Sequence, residues 1–257
     1  MSTVLDFFED ARSLRDRAQR HFDEFQQLIG RSANPPLWEV KEYPDGDGGT
    51  FTYALHLNHD ILTKVKPVAA DAANNLVHSL DQLVGAAARL HGRGRHRNLY
   101  FPWILDEIAF ERQLRALEQL IGTGAVTAIR EVRNRHKAAL PHIHAVKTVS
   151  NSGKHWALTP STSSAAAVAV NLPGQPQKIW DIPPAAFEGS EAYDFAVGVQ
   201  RMQGVPFMVL LQFAFEGLGE GVPASPDDIF SWAFRYVKDM IDAVDAVQNW
   251  RDPDPFA

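Results

Sequence analysis

The chain contains no cysteine, which removes disulfides, iron–sulfur clusters, zinc–thiolate sites and thiol nucleophiles from consideration. No apolar stretch approaches the ~18 residues of a membrane-spanning helix. The opening Met1-Ser2-Thr3-Val4-Leu5-Asp6 lacks the basic and apolar regions of a signal peptide, so a cytoplasmic location without membrane contact is expected. Basic residues are not in excess: 25 Lys and Arg against 31 Asp and Glu give a net charge of −6, which argues against a duplex-DNA binder. Also absent are a phosphate-binding loop ending in Gly-Lys-Ser/Thr, a dinucleotide glycine fingerprint, a nucleophile elbow and a His-Glu-x-x-His motif. Gly217-Leu218-Gly219-Glu220-Gly221 follows a strand-like run, but Pro223 and Pro226 come before any helix, so it reads as a loop. No cofactor is expected.

What is present is ordinary globular composition, 45% hydrophobic and 22% charged over 257 residues, enough to bury a core without covalent staples. Val4, Phe7, Ala11, Leu14, Ala18, Phe22, Phe25 and Leu28 recur at three- and four-residue steps and predict a helix over 3–29, capped by Ser2 or Thr3 and closed by Gly30. Its heptad-like stripe suits either packing within the chain or a homodimer seam. Alternation over 38–43 and 51–57, around Pro44-Asp45-Gly46-Asp47-Gly48-Gly49, predicts a hairpin. Further helices are predicted over 67–90, 105–121 and from Thr123, the last kinked or restarted at Pro141.

Beyond Asn151 the pattern changes. Short strands are predicted at Val168–Leu172 and Ile179–Ile182, and the continuous apolar run Phe207–Phe215 reads as one buried strand. Ser225 followed by Pro226, Asp227 and Asp228 marks the start of a last helix. The expectation is one α+β domain over 1–257: long antiparallel helices with a small, mainly antiparallel sheet, a helical core with its hairpin over 1–159, and a strand-rich part with a final helix over 160–252.

Two segments carry the most informative polar patterns. On the second helix Asp71, Asn74 or Asn75, His78, and Asp81 or Gln82 share one face. They form either a hydrogen-bonded flank or the wall of a site with His78 as acid or base. The second segment is Asn151-Ser152-Gly153-Lys154-His155-Trp156, a glycine-containing turn whose lysine, histidine and amides could converge on a phosphate or carboxylate. Asn75, Asn151, Lys154 and His155 are therefore the candidate ligand contacts. His78, His155, Asp71 and Asp81 are the candidate catalytic groups.

Arg130, Arg133 and Lys137 fall on one helical face and could meet phosphates or nucleic acid. A second basic run, Arg93/Arg95/His96/Arg97, shares the alternative of being simply solvated. Metal binding at His136, His142, His144 and His155 is not expected, because His142-x-His144 would aim both rings one way only on a strand, and this segment reads as helix.

Asp71-x-x-Asn74-Asn75-Leu76-x-x-x-Leu80-Asp81, Phe101-Pro102 and Asn151-x-x-Lys154-His155 together resemble a broad group of uncharacterised bacterial proteins with an Asn-Leu-x-x-x-Leu-Asp helix and a later Asn-x-x-Lys-His turn. The resemblance covers roughly residues 1–160 and implies an architecture more than an activity. The helix also resembles that of HEPN-type ribonucleases and nucleotide-binding modules, but their Arg and His positions hold Val77 and Gln82 here. Arg135 and His142 have an Arg-x6-His spacing interrupted by Pro141. These readings point to a binding or interaction protein for a small anionic ligand, RNA or a protein partner. The alternative is a hydrolase or nucleotide-processing enzyme using His78 and His155.

Overall fold

The computed structural model describes residues 6–30, 34–46, 48–93, 99–151, 157–160, 166–172, 176–183, 185–187, 191–202, 204–218 and 225–248. The fold class is α+β, with antiparallel strand pairing throughout the described residues. Among them no helix is long and apolar enough to cross a membrane. By compactness the chain divides into two units, one formed by 1–23, 68–156 and 218–257, the other by 24–67 and 157–217.

The first unit is helical. It holds most of α1 (Glu9–Ile29), most of α2 (His59–Leu90), α3 (Glu107–Ile121), α4 (Thr123–Arg135), α5 (Leu140–Asn151) and α6 (Pro226–Gln248). The predicted caps Ser2 and Thr3 lie outside the described residues. The α1 helix instead starts behind Asp6, whose Oδ1 accepts from the Phe8 amide at 2.9 Å. That start buries Phe8 and leaves Phe7 exposed, so the inward stripe begins one residue later than the spacing implied. Ala11, Ala18 and Phe22 are buried, and the Phe22 ring lies 4.7 Å from that of Phe230, so here the stripe packs within the chain.

The α2 helix begins at His59 rather than Pro67, which sits inside it. Asn58 makes the earlier start by accepting from the Ile61 amide at 3.3 Å, and the helix runs on through Pro67 despite the lost amide bond and the crowding of the preceding turn. Ala72, Ala73, Leu76, Leu80, Leu83 and Ala87 are buried, and the buried Ser79 hydroxyl donates to the Ala11 carbonyl at 2.7 Å. Asp106 caps α3 through the Ala109 amide. As predicted, Pro141 restarts the chain: a 3-10 turn, Lys137–Ala139, separates α4 from α5, and Pro141 occupies the first turn of α5, where a missing amide costs little. Both α4 and α5 pack on α6, which buries Ile229, Ala233, Tyr236, Met240 and Val244 as the spacing of its apolar residues implies, whereas Val247, which the same spacing places on that face, is exposed near the end of the helix.

The second unit holds the strands. The hairpin β1 (Trp38–Pro44) and β2 (Phe51–Leu57) pairs onward to β6 (Ala192–Val199), so one sheet draws strands from both halves of the chain. A second sheet has the order β5 (Lys178–Ile182), β4 (Ala166–Val170), β7 (Phe207–Leu210), and β3 (Ala157–Pro160) pairs with β8 (Phe213–Glu216). The run Phe207–Phe215 is thus two strands, not one. Its first half pairs with β4 and its second with β3, and Met208 and Leu210 are exposed. Tyr53, Leu55, Val168, Val170, Phe195 and Val209 form the core between the two three-stranded sheets. There the Tyr53 hydroxyl donates to Glu42 and accepts from the Met202 amide, both at 2.6 Å.

Gly122 links α3 to α4 with φ +84°, and a Cβ there would lie 2.4 Å from the His91 ring. Gly122→Ala is expected to destabilise the fold by ~1–3 kcal/mol in urea unfolding. Adding His91→Ala should recover only the steric part of that loss.

Candidate functional site

The polar face of α2 is real, and its members are differently engaged. Asp71 and His78 are exposed. Asn75 donates to the Asp71 carbonyl of its own helix. Asn74 Oδ1 accepts from the Ser150 hydroxyl at 2.6 Å, which brings the middle of α2 against the end of α5. The next residue, Asn151, is exposed at the end of α5, while Lys154 and His155 lie outside the described residues.

Asp81 is committed to structure. Its Oδ1 accepts from the Phe101 amide at 2.9 Å and so fixes the segment leading to α3. Burial pushes its carboxyl above the usual carboxylate range, opposed by the Phe101 amide and by the charges of Lys147 and His78.

The predicted basic face is largely occupied. Arg130 makes a two-point pair with Glu111 at 2.8 and 2.9 Å. Arg133 is 3% exposed, donates to the Ile104 and Leu105 carbonyls, and stacks 4.0 Å over the Phe110 ring centroid. Lys137 is exposed and lies past the end of α4. Arg93 is exposed, while Arg95, His96 and Arg97 lie outside the described residues.

The histidines of this region do not converge. His136 is buried against Asp239 at 2.9 Å. His144 bonds to the Trp103 backbone, and its burial lowers its pKa. Among the described residues no cluster of His, Asp and Glu could hold a metal ion.

A large cavity lies in the strand unit, where β2 ends and α2 begins. It measures about 430 Å³ and is walled by Trp38, Glu39, Lys41, His56, Asn58, His59, Asp60 and Glu191, with Pro35 and Pro36 at one side. The local sequence explains its shape. Register places Glu39 opposite His56 and Trp38 opposite Leu57, and the Leu57 amide donates to the Glu191 carbonyl. Asn58 then turns the chain into the first turn of α2, bringing His59 and Asp60 to the rim. Lys41 is neutralised by Glu39 at 2.6 Å, and His56 is bonded to the Tyr43 hydroxyl at 2.9 Å. Asp60 and Glu191 have no ion-pair partner among the described residues.

No family model, curated protein or solved structure matches the chain. The cleft must therefore be read from its own chemistry. Its one trace in the sequence is the polar cluster His56-x-Asn58-His59-Asp60 at a strand-to-helix junction, which matches no catalytic motif.

Since the folded pKa of Asp81 lies above its ordinary ~3.9, its contribution to stability is full below that value and is lost as pH rises through the folded pKa. Asp81→Asn retains an accepting oxygen and cannot ionise. Its stability relative to the parent is expected to rise from pH 4 to pH 7, and parallel unfolding curves would contradict this.

Proposed function

We propose that the protein binds a compact polar small molecule carrying a basic amine, in the cleft at the junction of β2 and α2. The observation that carries this reading is a cavity of about 430 Å³ with an indole wall and two carboxylates that have no ion-pair partner among the described residues. That volume lies within the range of small-ligand sites. An ammonium group would gain charge-assisted hydrogen bonds from Asp60 and Glu191 and the face of Trp38. His56, His59 and Asn58 would orient its remaining polar atoms. The small anionic ligand expected of the Lys154/His155 turn belongs to a different segment, and the two readings are separable. A cytoplasmic setting is part of this proposal, in keeping with the absence, among the described residues, of a helix able to cross a membrane.

Imidazole resonances of His56 and His59 provide the test. Agmatine, cadaverine and ethanolamine are expected to shift them, while acetate and phosphate at equal ionic strength leave them in place. Asp60→Asn and Glu191→Gln should each weaken amine binding about three- to tenfold, as for a partly solvated charge contact of ~1 kcal/mol. Equal shifts with anions would refute the amine preference.

The Asn74–Ser150 hydrogen bond supports a second reading, in which His78 works with His155 in a hydrolase. Paired rings share a titration. His155→Ala should then move the midpoint of His78 in a histidine NMR titration, and an unmoved midpoint excludes the pair.

A further inference from the structure

The two carboxylates that lack an ion-pair partner among the described residues reach the cleft at the β2–α2 junction from different elements. Asp60 stands in the first turn of α2. Glu191 immediately precedes β6, and its carbonyl accepts from the Leu57 amide at 2.9 Å. Both side chains line the same cavity and both residues are exposed. The other charged side chains of the wall cancel, since Glu39 and Lys41 pair at 2.6 Å, and His56 and His59 complete its titratable set. The start of α2 favours a carboxylate at Asp60 but supplies no counter-ion. Lys64, one turn further along, does not line the cavity and makes no ion pair with Asp60.

A guest with one ammonium group leaves one carboxylate of the cleft uncompensated. A guest with two compensates both, and the carboxylates need not converge on a single point to hold it. Opposite charges in a partly desolvated cleft attract more strongly than in open water. The space suits such a molecule. At ~30 Å³ of liquid volume per water, the cavity of about 430 Å³ corresponds to roughly fourteen waters, well above what a short linear diamine occupies. The indole of Trp38 and the rings of Pro35 and Pro36 line the same cavity and give methylenes an apolar surface to lie against.

We propose that the ligand of this cleft is a short aliphatic diamine, with one ammonium group held at Asp60 and the other at Glu191. This rests on the amine reading of the cleft and narrows it from one charge to two.

Titration of the full chain followed by imidazole NMR, at constant ionic strength and about pH 8, above the ordinary range of histidine, separates the two claims. Putrescine, cadaverine and hexamethylenediamine are each compared with the monoamine of equal carbon number, n-butylamine, n-pentylamine or n-hexylamine. At the best-matched length the diamine is expected to bind about three- to tenfold more tightly than its monoamine, as for one added, partly solvated charge contact. In Asp60→Asn and in Glu191→Gln, both changes at exposed positions, that ratio should fall below about two, because the second contact is gone. Diamines no tighter than their monoamines at every length overturn the diamine assignment and leave the amine reading standing. A ratio that survives both substitutions overturns it too, since the gain then comes from the diffuse net charge of −6. No shift with any amine removes the amine reading itself, and the diamine assignment with it.

Discussion

A guanidinium taken out of water constrains the helical unit more than any single apolar contact. Arg133 cannot be buried without partners for its charge and hydrogens, and it finds them in two consecutive carbonyls ahead of α3 and in the face of Phe110. That requirement fixes where the connector 101–105 must run. Asp81 pins the same connector from the other side through the Phe101 amide. Phe101 and Trp103 are thereby held edge-on and tilted against the ring of Tyr236 on α6. One irregular segment, held at both ends by charged side chains, thus ties α2, α3, α4 and α6 together.

The strand unit answers a similar need with a neutral group. The Tyr53 hydroxyl sits at the centre of an aromatic cluster with Phe195 and Phe207. By donating to Glu42 and accepting from the Met202 amide it satisfies the polar atom that burial brings with it. Arg201 completes the arrangement by pairing with Glu42 at 2.8 Å and covering the Phe51 ring. Both units are organised around polar atoms carried into apolar surroundings, and the apolar cores are conventional by comparison.

Local chemistry made much of this legible in the sequence. The Ser225 start of α6 and its inward face, the hairpin, and the interruption at Pro141 follow from caps, turn residues and periodicity, which act within a few residues. What periodicity could not convey was the identity of the partner. Arg130 and Arg133 lie on one helical face as their spacing says. That one meets a carboxylate at the surface and the other two carbonyls in the interior depends on α3 and its connector, some twenty to thirty residues earlier. The run Phe207–Phe215 looks continuous because its two halves are equally apolar, yet it divides according to strands far upstream. The Ala192–Val199 strand is not legible in the sequence because Asp194 and Gly198 break its alternation. The cleft at the β2–α2 junction was hidden for a different reason, being assembled from ordinary polar residues whose convergence only the register discloses.

The interleaving of the two units sets the timetable of synthesis. Neither unit is a continuous stretch of chain, since each is assembled from segments separated by parts of the other. On the ribosome the β1–β2 hairpin emerges early, but its sheet neighbour begins only at Ala192. At cellular elongation rates that wait is on the order of ten seconds. The helical unit waits longer still, because α6, the element on which α4 and α5 pack, is synthesised after all its other helices. Until that helix is free, the nascent chain carries the apolar faces that it will cover.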